Sequence, residues 1–210
     1  WDVPMTAPLY EALLRHQSLG RSSFHTPGHK SAPDVFPDGL LSLDYTELPD
    51  TDSLYEASGV ILRAEELAAR LYGAARTLFS ACGCTLCIQA MLRIAAPRPG
   101  SKVICGRIIH RSAVNTMALL GLEPVWISPR QDAGPFLPGR ISAEDIRHAL
   151  QQNPDASCVY LTSPDYYGVL SDIPAIAKEC RAASVPLLID NAHGSHLRFT
   201  RTDLHPLTLG

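Results

Sequence analysis

Apolar positions along this chain follow two alternating rhythms. Short uninterrupted apolar runs alternate with segments in which apolar residues return at helical spacing. The first segment, 8–19, places Leu9, Leu13 and Leu14 on one helical stripe and stops at Gly20. A loop rich in Pro and Gly follows, His25-Thr-Pro-Gly-His29-Lys30. Residues 34–59 have no clear period and carry Asp and Glu at turn-like positions, which predicts an irregular segment wrapping the domain. From residue 60 the pattern is regular. It predicts an amphipathic helix over 60–72 ended by Gly73, a short strand over 76–81, and a helix over 85–95 closed by Pro97 and Pro99. A strand over 102–105, a helix over 112–120 ended by Gly121, and a strand over 124–127 come next. Ser142, with Asp145 following at near-capping-box spacing, opens another helix. A strand over 157–162, a helix over 173–183 and a strand over 187–190 complete the series.

Strands alternating with helices predict an α/β fold of three αβα layers, a mostly parallel sheet covered on both faces by right-handed crossovers. The organisation expected is an N-terminal helix and wrapping segment over 1–59 and one α/β domain over 60–210. No internal repeat and no dividing linker is visible.

Composition narrows the function. The apolar share, 46%, allows a sizeable core. A net charge of −3 without a basic block argues against nucleic acid or an anionic membrane as partner. No apolar run reaches the length of a bilayer span. The chain opens Trp1-Asp-Val-Pro without a signal-peptide pattern and reads as a piece of a longer product. Most of the six cysteines fall in apolar strands or helical segments, the pattern of a reducing cytoplasm rather than of a disulfide framework.

The candidate chemistry sits at strand ends, where open α/β sheets bind ligands. Pro186-Leu-Leu-Ile-Asp190-Asn-Ala-His193-Gly194 is a buried strand ending in a carboxylate, which needs a cationic partner at the edge of a low-dielectric core. The protonated ring nitrogen of pyridoxal phosphate is one such partner, Ala192 leaves room beneath a ring, and His193 serves either Asp190, the cofactor or the loop. A metal set of Asp190, His193 and His196 competes, weakened by Gly194 interrupting the helix it would need. Ser80-Ala-Cys82-Gly83-Cys84-Thr85-Leu86-Cys87 turns into a helix start, an anion site to which Thr85 adds a hydroxyl, unless Thr85 merely caps the helix. Metal binding by Cys82, Cys84 and Cys87 is the rival there, without a second pair at zinc-ribbon distance. His110 follows another strand and can stack on a planar ring, act as an acid or base, or simply start a helix near solvent. Tyr166 and Tyr167 follow a third strand as a pocket wall or as surface packing, and the His25–Lys30 loop is a weak candidate for contact with a substrate or a neighbouring subunit. Together a phosphate cradle, a stacking ring, a tyrosine wall and an anionic anchor make the inventory of a pyridoxal phosphate site.

The ordered motifs His25-Thr-Pro-Gly-His-Lys30, Gly83-Cys-Thr-Leu-Cys-Ile-Gln-Ala-Met91, His110-Arg-Ser112, Thr162-Ser-Pro-Asp-Tyr-Tyr-Gly168 and Asp190-Asn-Ala-His-Gly194 resemble the major domain of the ornithine/lysine/arginine decarboxylases. The resemblance implies the aspartate aminotransferase fold (fold type I) and decarboxylation of a basic amino acid to an amine and CO2. It implies that Thr85, with the N–H groups around Cys84 and Leu86, holds the cofactor phosphate, that His110 stacks on the pyridine ring, that Asp190 pairs with the ring nitrogen and that His193 sits beside the cofactor. A homodimer or higher homo-oligomer in the cytoplasm is implied too. Cys84, Arg111, Asn191 and Asp165 depart from the family's usual Ser or Thr, Lys, Glu and Asn. A thiol at position 84 leaves more of the phosphate to Thr85, and the other changes bear on substrate choice.

The family's Schiff-base lysine follows the next strand, typically as His-Lys, and so falls beyond Gly210. Of Lys30, Lys102 and Lys178, none replaces it: one is in the remote loop, one opens a strand at its amino end and one rides on a helix. The chain is therefore expected to be a fragment of the large domain that does not turn over alone. Two further readings keep the fold and change the role, an aminotransferase or lyase, or a non-catalytic relative serving as an assembly partner. A fourth is a metal hydrolase using histidines 25, 29, 193 and 196.

Overall fold

Four parallel strands carry the larger part of the chain. They are β1 (Lys102–Gly106), β2 (Glu123–Ile127), β3 (Cys158–Thr162) and β4 (Leu187–Asp190), in the order β2-β1-β3-β4. The structure, a computed structural model, describes residues 6–31, 41–129 and 139–210. Two compact units divide the chain, Trp1–Phe79 and Ser80–Gly210.

In the second unit the side-chain period of two assigns each strand residue to a layer. Val103 and Cys105 of β1 with Cys158 and Tyr160 of β3 join Ile88 and Leu92 of α3 (Gly83–Ala95) and Ala113 and Met117 of α4 (Arg111–Leu120) in one core. The intervening residues Ile104, Val159 and Leu161 face the other way. They pack on Ile146 and Leu150 of α5 (Ala143–Gln152) and on Ile176 and Cys180 of α6 (Ile173–Ala182). This is the three-layer arrangement that the alternation predicts. Ser142 and Asp145 form a full capping box at the start of α5. A 3-10 turn, Ser195–Phe199, and a short helix α7, Pro206–Leu209, follow β4.

Two expectations are corrected. Residues 76–81 form no strand: they join no ladder among the described strands, and the Phe79 N–H donates to the buried Glu65 carboxylate (2.8 Å). A strand is defined by its neighbour, and here a side chain takes the bond a neighbour would use. Helix α3 also begins at Gly83 rather than at residue 85.

Cys105, Cys158 and Cys180 are buried free thiols, and burial pushes them up to about 12, about 11 and about 11, which leaves them inert packing groups. Cys82, Cys84 and Cys87 are free and exposed. Among the described residues no helix is long and apolar enough to cross a membrane.

The first unit pairs α1 (Pro8–Ser18) with α2 (Val60–Tyr72). Gly59 caps α2 without a side chain, and Asp52 does that work from a distance. Its carboxylate accepts the N–H groups of Ser53, Ser58, Gly59 and Ile61 at 2.8–3.1 Å. Burial pushes this carboxyl up, but the backbone donors outweigh it and hold it at about 2, below the ordinary 3.8. A carboxyl lowered on folding lends stability above its unfolded value, so the anchor weakens as pH falls from about 4 toward about 2. Asp52→Ala is expected to cost about 1–3 kcal/mol, because it strands these donors. Amide hydrogen exchange at Gly59 and Ile61 should accelerate in that variant, and in the parent chain over the same acid range.

Candidate active site

Three loops leave the carboxyl ends of β1, β3 and β4, and the amino end of α3 faces the same space. They border an open cavity of about 470 Å³. Cys84 and Thr85 come from α3, Ile108 to Arg111 from the loop after β1 and the start of α4, Thr162 and Tyr166 from β3 and its loop, and Asp190, Ala192 and His193 from β4 and its loop. Gly83 allows the tight entry into α3, with φ at +63°, a region costly for any residue with a β-carbon. The N–H groups of the helix's first turn have no partners further up the helix and form the positive end of its dipole. The cap residue is Cys82, whose side chain makes no cap hydrogen bond, so Thr85 lines the cavity instead of capping the helix.

Asp190 is 5% exposed. Its Oδ1 accepts the Ala192 N–H (3.1 Å) and its Oδ2 accepts the Tyr160 hydroxyl (3.2 Å). The parallel register explains the second bond. Thr162 lies opposite Asp190 and Tyr160 opposite Leu188, so all four side chains belong to the α3/α4 face of the sheet. Thr162 Oγ1 is buried at the cavity wall and neighbours the Tyr160 hydroxyl. His110 is the N-cap of α4: its Nδ1 accepts the Ser112 N–H (3.2 Å) and lies 2.7 Å from Ser112 Oγ.

Five of the six site residues expected from sequence, Cys84, Thr85, His110, Asp190 and His193, share this cavity. Leu86 is on the first turn of α3, but its side chain is not part of the wall. Tyr166 is part of the wall and Tyr167 is not, and the two rings meet edge to face at 5.5 Å. Asp165 serves its own loop by accepting the N–H groups of Tyr167 and Val169 (2.8 and 2.9 Å). Among the described residues no three His, Cys, Asp or Glu side chains converge as metal ligands. Within this unit neither Lys102 nor Lys178 lines the cavity: Lys102 opens β1 and pairs with Asp155 (3.0 Å), and Lys178 is on α6. In the first unit His25 and Lys30 border a separate cavity of about 280 Å³ with His16, Arg21 and Tyr45, and His29 bonds Asp44 (3.2 Å).

Sequence reasoning missed Tyr160 and Thr162. The signal was present, because residues 158, 160 and 162 of a strand share a face, but the register that sets them beside Asp190 was not.

Residues 7–209 match the profile of the Orn/Lys/Arg decarboxylase major domain. The chain belongs to this family. It is 38% identical over 198 residues to the uncharacterized protein YaaO of Bacillus subtilis (strain 168), covering 91% of this chain and 41% of that protein. It is 34% identical over 199 residues to the arginine decarboxylase of the same organism, covering 91% and 40%. The lysine decarboxylase LdcF of Francisella novicida superposes with a TM-score of 0.82 at 20% identity, over 93% of this chain and 30% of that one. The chain thus spans about 40% of the length of these two Bacillus relatives. Its architecture is the fold type I, aspartate aminotransferase-like α/β class that the sequence resemblance implies.

In this family member the loop after β4 is held by close approach. A β-carbon at Gly194 would meet Asn191 Oδ1 at 2.1 Å, Pro164 Cδ at 2.5 Å and Leu197 Cδ1 at 3.0 Å. The Asn191 side-chain amide also hydrogen-bonds His205 Nε2 (2.8 Å), and burial holds the His205 imidazole below its ordinary range, so a neutral amide meets a neutral ring. Gly194→Ala is expected to destabilise the protein by about 1–3 kcal/mol through overpacking and to displace the segment carrying His193. Denaturant unfolding checks this, and an unchanged midpoint contradicts it.

Proposed function

We propose that this chain is the cofactor-binding part of a pyridoxal phosphate-dependent decarboxylase that converts a basic amino acid (arginine, lysine or ornithine) to its amine and CO2. The observation that carries the reading is one cavity with an anion-binding helix start at one side and the buried Asp190 carboxylate at another. The residues fit the cofactor. The volume lies in the range of small-ligand sites, and the buried Asp190 carboxylate, bonded by the Tyr160 hydroxyl and the Ala192 N–H, keeps lone-pair capacity for a ring N–H. Relatives named as arginine decarboxylase and lysine decarboxylase support the substrate class.

Bound there, pyridoxal phosphate supplies an electron sink for the pair left behind as CO2 departs. Thr85 and the first-turn amides of α3 bind the phosphate, with Cys84 beside them. Asp190 holds a proton on the ring nitrogen by charge pairing inside a low-dielectric wall. His110 would supply a planar ring for stacking on the cofactor. Because its Nδ1 accepts the Ser112 N–H, its neutral ring carries the proton on Nε2. Ile88, Ile108 and Ile109 give the cavity apolar surface, and His193 would stand beside the bound cofactor.

With Lys102 and Lys178 away from the cavity, the amine that bonds the cofactor is assigned to the remainder of a longer protein. That protein is read as a cytoplasmic homo-oligomer acting on free amino acid. The full-length gene product, supplied with arginine, lysine and ornithine in turn, is expected to release CO2 from at least one, while the 210-residue chain alone releases none. Asp190→Ala in the full-length protein should lower turnover by about a hundredfold or more. A full-length protein that neither retains the cofactor nor decarboxylates any of the three contradicts the reading.

A further inference from the structure

We infer that Tyr160 is a positioning residue for the cofactor's ring nitrogen, acting through its hydrogen bond to Asp190. The inference rests on the cofactor site proposed above and extends it to a residue outside the cavity wall.

Tyr160 is fully buried in the α3/α4 core, yet its hydroxyl is not spent on the backbone. It reaches Asp190 Oδ2 at 3.2 Å. A phenol in an apolar core needs a partner, and a packing role alone would be met by Phe without that requirement. The direction of the bond is fixed. Burial, then the nearby Asp190 charge, pushes the Tyr160 phenol far above the ordinary tyrosine range, so it remains the donor at every working pH. Asp190 Oδ1 is held separately by the Ala192 N–H. A carboxylate tied at both oxygens cannot rotate about its terminal torsion, which is otherwise soft. Each oxygen keeps lone-pair capacity for a further donor. The Tyr160 hydroxyl therefore sets which way that capacity points, and hence how well the site distinguishes a ring with N–H from one without.

This gives a test that a merely structural role would not pass. In the full-length protein, the affinity for pyridoxal phosphate is compared with that for its deaza analogue, in which C–H replaces the ring nitrogen. Both ligands share the phosphate, the aldehyde and the stacking face. The wild-type protein is expected to prefer pyridoxal phosphate, and Tyr160→Phe to reduce that preference by about tenfold while leaving the analogue's affinity within about twofold. In an Asp190→Asn background, Tyr160→Phe should change neither affinity further. Equal loss for both ligands would assign Tyr160 to packing alone and overturn the inference, as would an unchanged preference. A wild-type protein with no preference would overturn the reading of Asp190 itself, a distinct failure that removes the role of Tyr160 with it. Should Tyr160→Phe not accumulate folded, 3-fluorotyrosine at position 160 replaces it. Nearly the same size but a stronger donor, it should move the preference measurably from the wild-type value, and no movement overturns the inference.

Discussion

The carboxylate at the end of β4 is the constraint around which the second unit is arranged. Asp190 is 5% exposed and has no cationic side chain bonded to it among the described residues, only the Tyr160 hydroxyl and the Ala192 N–H. Two neutral donors reduce the cost of burying such a group without neutralising it. The sheet register supplies one donor and the turn after the strand supplies the other. Both depend on β3 and β4 pairing with Thr162 opposite Asp190, so slipping that register by one residue would turn Tyr160 and Thr162 to the opposite layer.

The same geometry places groups of opposite electrostatic character on one cavity. The first turn of α3 presents the positive end of its dipole and the end of β4 presents a carboxylate, and Ile88, Ile108 and Ile109 line the same cavity. A ligand that is anionic at one end and cationic at the other satisfies both, and a simple anion or simple cation satisfies only one. This bipolarity narrows the ligand more than any single motif does. His110 belongs to the same logic: as the cap of α4 it has one ring nitrogen tied to the backbone, so its ring is oriented before any ligand arrives.

Much of this was legible in the sequence, and what was not has physical causes. The helix over Val60–Tyr72 and the strand Leu187–Asp190 were readable to the residue, because a Gly ends the first and a carboxylate ends an apolar run in the second. Cys84, Thr85, His110, Asp190 and His193 were readable as rim residues, because strand ends converge in a parallel sheet. Residues 76–81 were misread because period and composition describe a strand's faces and not its hydrogen bonds, and Glu65, distant in sequence, takes the Phe79 N–H. Tyr160 was invisible for a related reason. A tyrosine within an apolar strand looks like core, and only the register reveals that its hydroxyl meets a carboxylate thirty positions on.

Asn191 stands where the sequence resemblance implies a Glu, and its surroundings suit the neutral amide. Beside the buried carboxylate of Asp190, a second acidic group at position 191 would add like charge to a low-dielectric wall, and it would need a cationic partner of its own. The residue it would meet is His205, whose imidazole burial keeps below its ordinary range. Asn and neutral His make a pair that carries no net charge beside the loop holding His193 and Gly194. A glutamate there would favour the charged imidazole and make the loop's closure depend on pH in the range where histidine titrates. The Asn–His pair therefore adds no carboxylate beside Asp190 on the segment that runs from β4 to Gly194.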